Sequence, residues 1–230
     1  MIKLERTSVM NLENAVRGMR NPMNSWDKCD SYYNEDGDYI LGENDMKLAM
    51  RLRNAGSDHR KYLRQVFVSV DITAPLYWWK EYDTYKVGTT ANSCSTMHKI
   101  HAKPFVEEDF SLERCAPELM VFRLIDMTMN VLNLMRDKYL ETKDKKYWDS
   151  MIELLPSSYN QMRTCTLTYE NLVNMYHARK NHKLAEWHGF CAWVESLPYS
   201  ELICFAAQLP KDTLLPKNWR ETNGIKTDCT

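Results

Sequence analysis

Apolar and polar positions alternate along two stretches of the chain, and each stretch predicts a strand. Residues 1–10 (MIKLERTSVM) interleave Ile2, Leu4 and Val9 with charged side chains. Residues 64–73 (RQVFVSVDIT) place Val66, Val68, Val70 and Ile72 on one face, the clearest strand pattern in the sequence. Elsewhere the period is helical. Over 43–55, Met46, Leu48, Ala49, Met50 and Leu52 recur at helical spacing, and Gly56 is placed to end the helix. Pro75 suits the first position of a helix running through LYWWKEYDTYK to about residue 87. A long helix is predicted over 112–140, with Leu119, Phe122, Ile125, Met129, Leu132 and Met135 as its buried stripe. Further helices are predicted over 147–154, 170–180, 184–196 and 200–208, with Pro156 as a break. Between these elements, 21–42 reads as a long irregular loop, either functional or a plain insertion, and 88–97 as a polar segment too rich in Thr and Ser for a helix. Few strands and many helices predict an α+β fold. The expectation is a single domain over 1–230, with a small, mainly antiparallel sheet packed with several helices, one of them long, and a polar tail over 210–230.

Composition narrows the function. The 230 residues carry 30 Lys+Arg against 31 Asp+Glu, a balance that argues against a nucleic-acid-coating protein. A mean hydropathy of −0.55 and the lack of a long apolar run speak against a membrane span. MIKLERTSVM has no apolar core of an export signal, which predicts a cytoplasmic protein with reduced thiols. Seven glycines, scattered singly, offer neither a dinucleotide fingerprint nor a P-loop, so a bound nucleotide must be held by side chains. The seven cysteines include no C-x-x-C, and no metal site is expected. Cys115, Cys191 and Cys204 read as small core residues. The sequences of a nucleophile elbow, a zincin and a zinc deaminase are missing. Within nine residues stand Tyr77, Trp78, Trp79, Tyr82 and Tyr85, which either pack a core or form a wall for a planar ring.

These residues carry a family resemblance. The run VFVSVDITAPLYWWKEYDTYKV (66–87), followed by TTANSCSTM, resembles the strand, A-P, aromatic helix and R-H-R-x-x-S-x-N-E-x-S-x-R signature of the flavin-dependent thymidylate synthases. Downstream, LLPSSYNQMRTCTLTYENLVNMYHARKNHKLAEW (154–187) resembles that family's second conserved segment in order and spacing, and SDHRKYLRQV (57–66) stands where the family has G-H-T-S-P-F-E-H-V. His59, Asn92, Ser95, Asn174 and Arg179 match family positions, and Thr90 stands for the first signature Ser. Other positions depart. Thr84, Tyr85 and Lys86 occupy R-H-R, Ser93 replaces Glu, Met97 the last Arg, Glu170 another Arg, Thr168 an Asn, and Glu81 and Glu186 each a Gln.

The resemblance implies FAD as cofactor, methylenetetrahydrofolate and NADPH as co-substrates, and reductive methylation of deoxyuridylate to thymidylate. It assigns His59, Arg60, Tyr85, Lys86, Asn92 and Asn174 to the flavin, and Glu81, Thr90, Ser93, Ser95 and Arg179 to the substrate, with Arg179 and Ser95 closest to the chemistry. It implies no catalytic cysteine, so Cys94 reads as a small buried filler. A homotetramer is implied, for which the Met-rich stretch 112–140 is either interface or core. Met97, Thr84 and Glu170 cannot grip a phosphate as arginine does, whereas Lys80, Lys86, Arg60, Arg163 and Arg179 could rebuild a positive site. Two alternatives stay open: a related flavin or folate enzyme acting on another pyrimidine nucleotide, and a non-catalytic homologue that binds a nucleotide or a partner.

Overall fold

The computed structural model describes residues 2–204. The polar tail, Cys229 and the end of the helix expected over 200–208 lie outside the described residues. In chain order the elements are β1 (Lys3–Met10), α1 (Leu12–Met19), β2 (Tyr32–Tyr33), β3 (Tyr39–Ile40), α2 (Glu43–Asn54), β4 (Phe67–Pro75) and α3 (Leu76–Tyr82). There follow β5 (Thr90–Ser93), α4 (Thr96–Lys99), α5 (Leu119–Thr142), α6 (Lys145–Glu153), β6 (Asn160–Thr168), α7 (Tyr169–Arg179), α8 (Ala185–Glu195) and α9 (Glu201–Cys204). The class is α+β, as expected. The chain divides into two compact units, interleaved in sequence.

The first unit comprises the start of the chain to residue 8, 68–167 and 179–193. It holds a four-stranded sheet in the order β1-β4-β6-β5, in which β5 and β6 run antiparallel with Asn92 opposite Thr164. The alternation read from the sequence sets β4: Val68, Val70, Ile72 and Ala74 are fully buried. Arg64 and Gln65, expected in this strand, instead end a 3-10 segment, Arg60–Gln65. Pro75 closes β4 with an extended backbone rather than opening α3 from within. Strand β6 is absent from the sequence reading because its inward residues are partly polar. Gln161 is 9% exposed, yet its amide donates to the Cys94 carbonyl (3.0 Å) and accepts from Arg163 Nε (3.0 Å), while its backbone carbonyl accepts from Trp79 Nε1 (2.9 Å). The segment 88–97, expected to be irregular, supplies the edge strand β5.

The long helix begins later than predicted. Residues 112–118, with Pro117, precede it, and the 24-residue α5 starts at Leu119. Only the C-terminal part of its stripe is covered. Leu132 is fully buried in a cluster with Ile100, Phe105, Phe110 and Met151. Leu119 (63% exposed) and Phe122 (51%) are not buried within this unit, contrary to expectation. Lys143 in the left-handed region turns the chain, and Asp144 caps α6 by accepting from the Lys146 N–H (3.0 Å). Cys94 and Cys115 are exposed rather than buried, since both lie outside the regular apolar faces, whereas Cys191 is buried.

The second unit comprises 9–67, 168–178 and 194–204. Ala15, Val16 and Met19 form the buried face of α1. The segment 21–42 is ordered rather than loop-like: two 3-10 turns precede a small antiparallel hairpin, β2–β3. Asp30 supplies the cap that Gly42 cannot, accepting from the N–H groups of Asn44 (2.8 Å) and Asp45 (3.0 Å) at the start of α2. The two segments approach so closely there that a Cβ on Gly42 would lie 2.3 Å from the Asp30 carboxyl. Asp45 is fully buried and accepts from Arg20 Nε (2.5 Å), Cys29 Sγ (3.1 Å), the Asp30 and Ser31 N–H groups (3.1 and 3.0 Å) and Ser31 Oγ (2.6 Å). Among the described residues, no helix is long and apolar enough to cross a membrane.

Candidate functional site

In the first unit, the aromatic block resolves into two roles. Trp78, Trp79 and Tyr82 are buried core (0, 1 and 2% exposed), with Trp78 packed on Trp187 at a centroid distance of 4.8 Å. Tyr85, one turn further, faces a cation. The Arg179 guanidinium lies 5.4 Å from the Tyr85 ring centroid and 5.0 Å from that of Trp187, a cation–π contact with each of two rings that meet edge-on at 6.1 Å. Its Nε donates to Tyr85 Oη (2.9 Å), and its Nη1 lies 3.1 Å from Glu81 Oε2. The same carboxylate oxygen accepts from Trp187 Nε1 (2.9 Å) and sits 3.3 Å from His182 Nε2. The Leu184 N–H donates to His182 Nδ1 (3.2 Å), which leaves the ring proton on Nε2, facing Glu81. One hydrogen-bond donor, Trp187 Nε1, and two nitrogens within ion-pair distance, Arg179 Nη1 and His182 Nε2, therefore surround one oxygen of a side chain about one-third exposed.

The structure brings Glu81 and Arg179, assigned by the resemblance to the substrate, together with Tyr85, assigned to the flavin. Trp187 and His182 were not among the sequence candidates. They follow Arg179 by eight and three residues across the break between α7 and α8, so helical periodicity gave no signal for them. Glu186, in the Gln position before Trp187, is 6% exposed and accepts from Tyr77 Oη (2.6 Å). Burial, and next the adjacent Glu186 carboxylate, push the Tyr77 phenol well above its ordinary value. The other predicted groups of this unit are spread out. Thr90, Asn92 and Ser93 stand exposed along β5, and Ser95 precedes α4 as its cap residue. Lys86 is 70% exposed, with the Asp83 carboxylate 4.0 Å away. Met97, in the place of a phosphate-gripping arginine, is 52% exposed.

In the second unit, α7 presents Glu170 and Asn174 one turn apart, and both meet Arg60. Arg60 Nε donates to Glu170 Oε1 (2.9 Å) and Nη2 to Asn174 Oδ1 (3.1 Å). Glu170 Oε2 is buried without a hydrogen-bond partner. His59, beside Arg60, is exposed, as is Asn174. The arginines that could have rebuilt a positive site are each matched by an acid: Arg60 by Glu170, Arg163 by Asp83 (3.0 Å) and Arg179 by Glu81. Lys80 and Lys86 remain as exposed cations. Among the described residues, no three His, Cys, Asp or Glu side chains gather to hold a metal ion.

The donors suit the polar groups of a flavin nucleotide. Lys86 offers a mobile ammonium, and His59 and the Asn174 amide offer exposed hydrogen-bonding groups. They do not suit a phosphate at positions 97 and 170, where a thioether and a buried carboxylate stand.

No protein-family model matches the chain, and no curated protein matches it by sequence. Solved structures do. Thymidylate Synthase X (ThyX) from Helicobacter pylori, solved with FAD and dUMP, superposes with a TM-score of 0.64 at 17% identity, covering 93% of this chain and 99% of that one. A second structure of the flavin-dependent H. pylori enzyme with FAD and dUMP gives 0.61 at 18% identity, covering 89% and 97%. The UMP/dUMP methylase PolB from Streptomyces cacaoi, bound with 5-Br dUMP, gives 0.55 at 14% identity, covering 88% and 93%. The fold is that of the ThyX enzymes.

Proposed function

We propose that this chain is an FAD-dependent enzyme that transfers a one-carbon unit to a pyrimidine nucleotide, with methylenetetrahydrofolate and NADPH as co-substrates. Methylation of dUMP to dTMP is the reference reaction. The observation that carries the reading is Arg179: a guanidinium held against the rings of Tyr85 and Trp187 at the position the resemblance gives to the pyrimidine-orienting arginine. The ligands of the structural relatives, FAD with dUMP in one and 5-Br dUMP in the other, support the same substrate class.

FAD, when bound, supplies the hydride relay between nicotinamide and the one-carbon unit. The chain's own residues bind and orient. In the first unit Lys86 would neutralise a phosphate of the cofactor, with Asn92 and Tyr85 as hydrogen-bonding groups; in the second, His59 and Asn174 would be the flavin-facing groups, with the charge of Arg60 shared with Glu170. Arg179 donates to the base, and Ser95 and Thr90 donate hydroxyls to the nucleotide. Because Arg179 is already held by Glu81 and Tyr85, little side-chain freedom is lost when the base arrives.

A second reading is favoured by one observation, the pairing of Arg60, Arg163 and Arg179 with acids, which suits a homologue that binds without catalysis. Uptake of FAD by the purified protein, followed by flavin absorbance, tests the first reading. A colourless protein that takes up no added FAD overturns it. The exposed apolar face of α5, with Leu119, Met120, Phe122, Leu124 and Met127 each more than half exposed, supports a homo-oligomer.

A further inference from the structure

Glu81 holds a feature that binding alone does not explain. All of its protein contacts fall on Oε2: Trp187 Nε1, Arg179 Nη1 and His182 Nε2. Oε1 makes no hydrogen bond among the described residues, on a side chain about one-third exposed. The guanidinium beside it is in the same state. Arg179 spends Nε on Tyr85 and Nη1 on Glu81, which leaves Nη2 without a hydrogen bond among the described residues. An acceptor that cannot donate and a donor that cannot accept thus stand side by side, each fixed by its other contacts, beside the ring of Tyr85.

We infer that this pair reads the edge of a cytosine-type base, and that the substrate is a cytidine nucleotide rather than a uridine nucleotide. The inference rests on the reading of Arg179 as the base-orienting arginine. A cytosine edge runs donor, acceptor, acceptor. Its exocyclic amine donates to Glu81 Oε1 while N3 and O2 face the Arg179 N–H groups, and no lone pair meets another. A uracil edge runs acceptor, donor, acceptor. If N3–H donates to Oε1, the carbonyl on one side faces Arg179 and the other is left against an acceptor-only carboxylate. A glutamine, which the resemblance places at position 81, can turn its amide to meet either edge. A carboxylate, which accepts at both oxygens whichever way it turns, cannot. A well-formed contact of this kind discriminates against the wrong base by about 1–3 kcal/mol, roughly 5- to 150-fold in affinity.

The test is equilibrium dialysis of dCMP and dUMP against the full chain saturated with FAD, for the native protein and Glu81→Gln. The native protein binds dCMP about tenfold or more tighter than dUMP, and Glu81→Gln shifts the ratio toward dUMP by a similar factor. Tighter or equal binding of dUMP by the native protein overturns the inference and leaves the proposed function standing. Binding of neither nucleotide overturns both. An unchanged preference in a folded Glu81→Gln overturns the role of Glu81. The native comparison does not depend on the variant folding.

Discussion

Replacing Asp45 with Asn is expected to destabilise the protein severely. Oδ1 of Asp45 faces the Arg20 guanidinium, itself 3% exposed, and Oδ2 accepts four hydrogen bonds from residues 29–31. An asparagine satisfies one side only. With its NH2 toward Arg20, a buried cation faces a donor; with its NH2 toward Ser31, two backbone N–H groups lose their acceptor. Either way the Arg20 charge is left without an anion, and breaking a buried pair in this manner costs about 3–5 kcal/mol. Against a total stability of about 5–15 kcal/mol that is a large share, and for a protein of this size it lowers Tm by roughly 6–20 °C. Burial alone would raise the Asp45 pKa, but hydrogen bonds from Ser31, Cys29 and Arg20 outweigh it and hold the carboxyl below its ordinary value. A carboxyl depressed in the folded state stabilises above its unfolded pKa, about 4, and that contribution fades as pH falls through the folded value. The gap between native and variant therefore narrows below about pH 4. Urea denaturation at pH 7 and pH 3.5 measures both effects, with exposed Asp27→Asn as a control expected within about 0.5 kcal/mol of native. A loss below about 1 kcal/mol for Asp45→Asn refutes the claim that Arg20 depends on this anion.

Leu132→Ala, at the centre of the cluster joining α5 and α6, costs about 2–5 kcal/mol in the same denaturation assay, whereas Leu134→Ala, at a half-exposed site, stays within about 0.5 kcal/mol. Tyr77→Phe leaves the buried Glu186 carboxylate without its hydroxyl donor and costs about 1–3 kcal/mol, read by thermal unfolding. Leu119→Glu with Phe122→Glu, neighbours one turn apart on an exposed side of α5, reduces the solution mass to that of a smaller species in light scattering; a native protein that is already monomeric contradicts the proposed oligomer.

Strand β4 was legible because its buried side chains are all aliphatic, so the period of two is written in residue type. Strand β6 was not, because Gln161 is buried on the strength of hydrogen bonds to Cys94, Arg163 and Trp79 that only the folded chain brings together. The apolar stripe of α5 was read correctly as a stripe and wrongly as buried throughout. Periodicity reports that a helix has an apolar face and says nothing of what covers it. The candidate site was half legible. Arg179 and Tyr85 lie 94 residues apart, and only the family spacing joined them. That Glu81 takes its contacts through one oxygen follows from the positions of Trp187 and His182, which no linear motif encodes. The segment 21–42 looked irregular because Asp30 and the buried Asp45 order it through side-chain hydrogen bonds, not through any repeat.

The most direct measurement is release of tritium from C5 of labelled pyrimidine nucleotides by the FAD-loaded protein with methylenetetrahydrofolate and NADPH. The account predicts release from at least one of dCMP, CMP, dUMP and UMP, lost when FAD is omitted and in Arg179→Ala. No release from any of the four by protein that has taken up FAD, or release undiminished in Arg179→Ala, contradicts it.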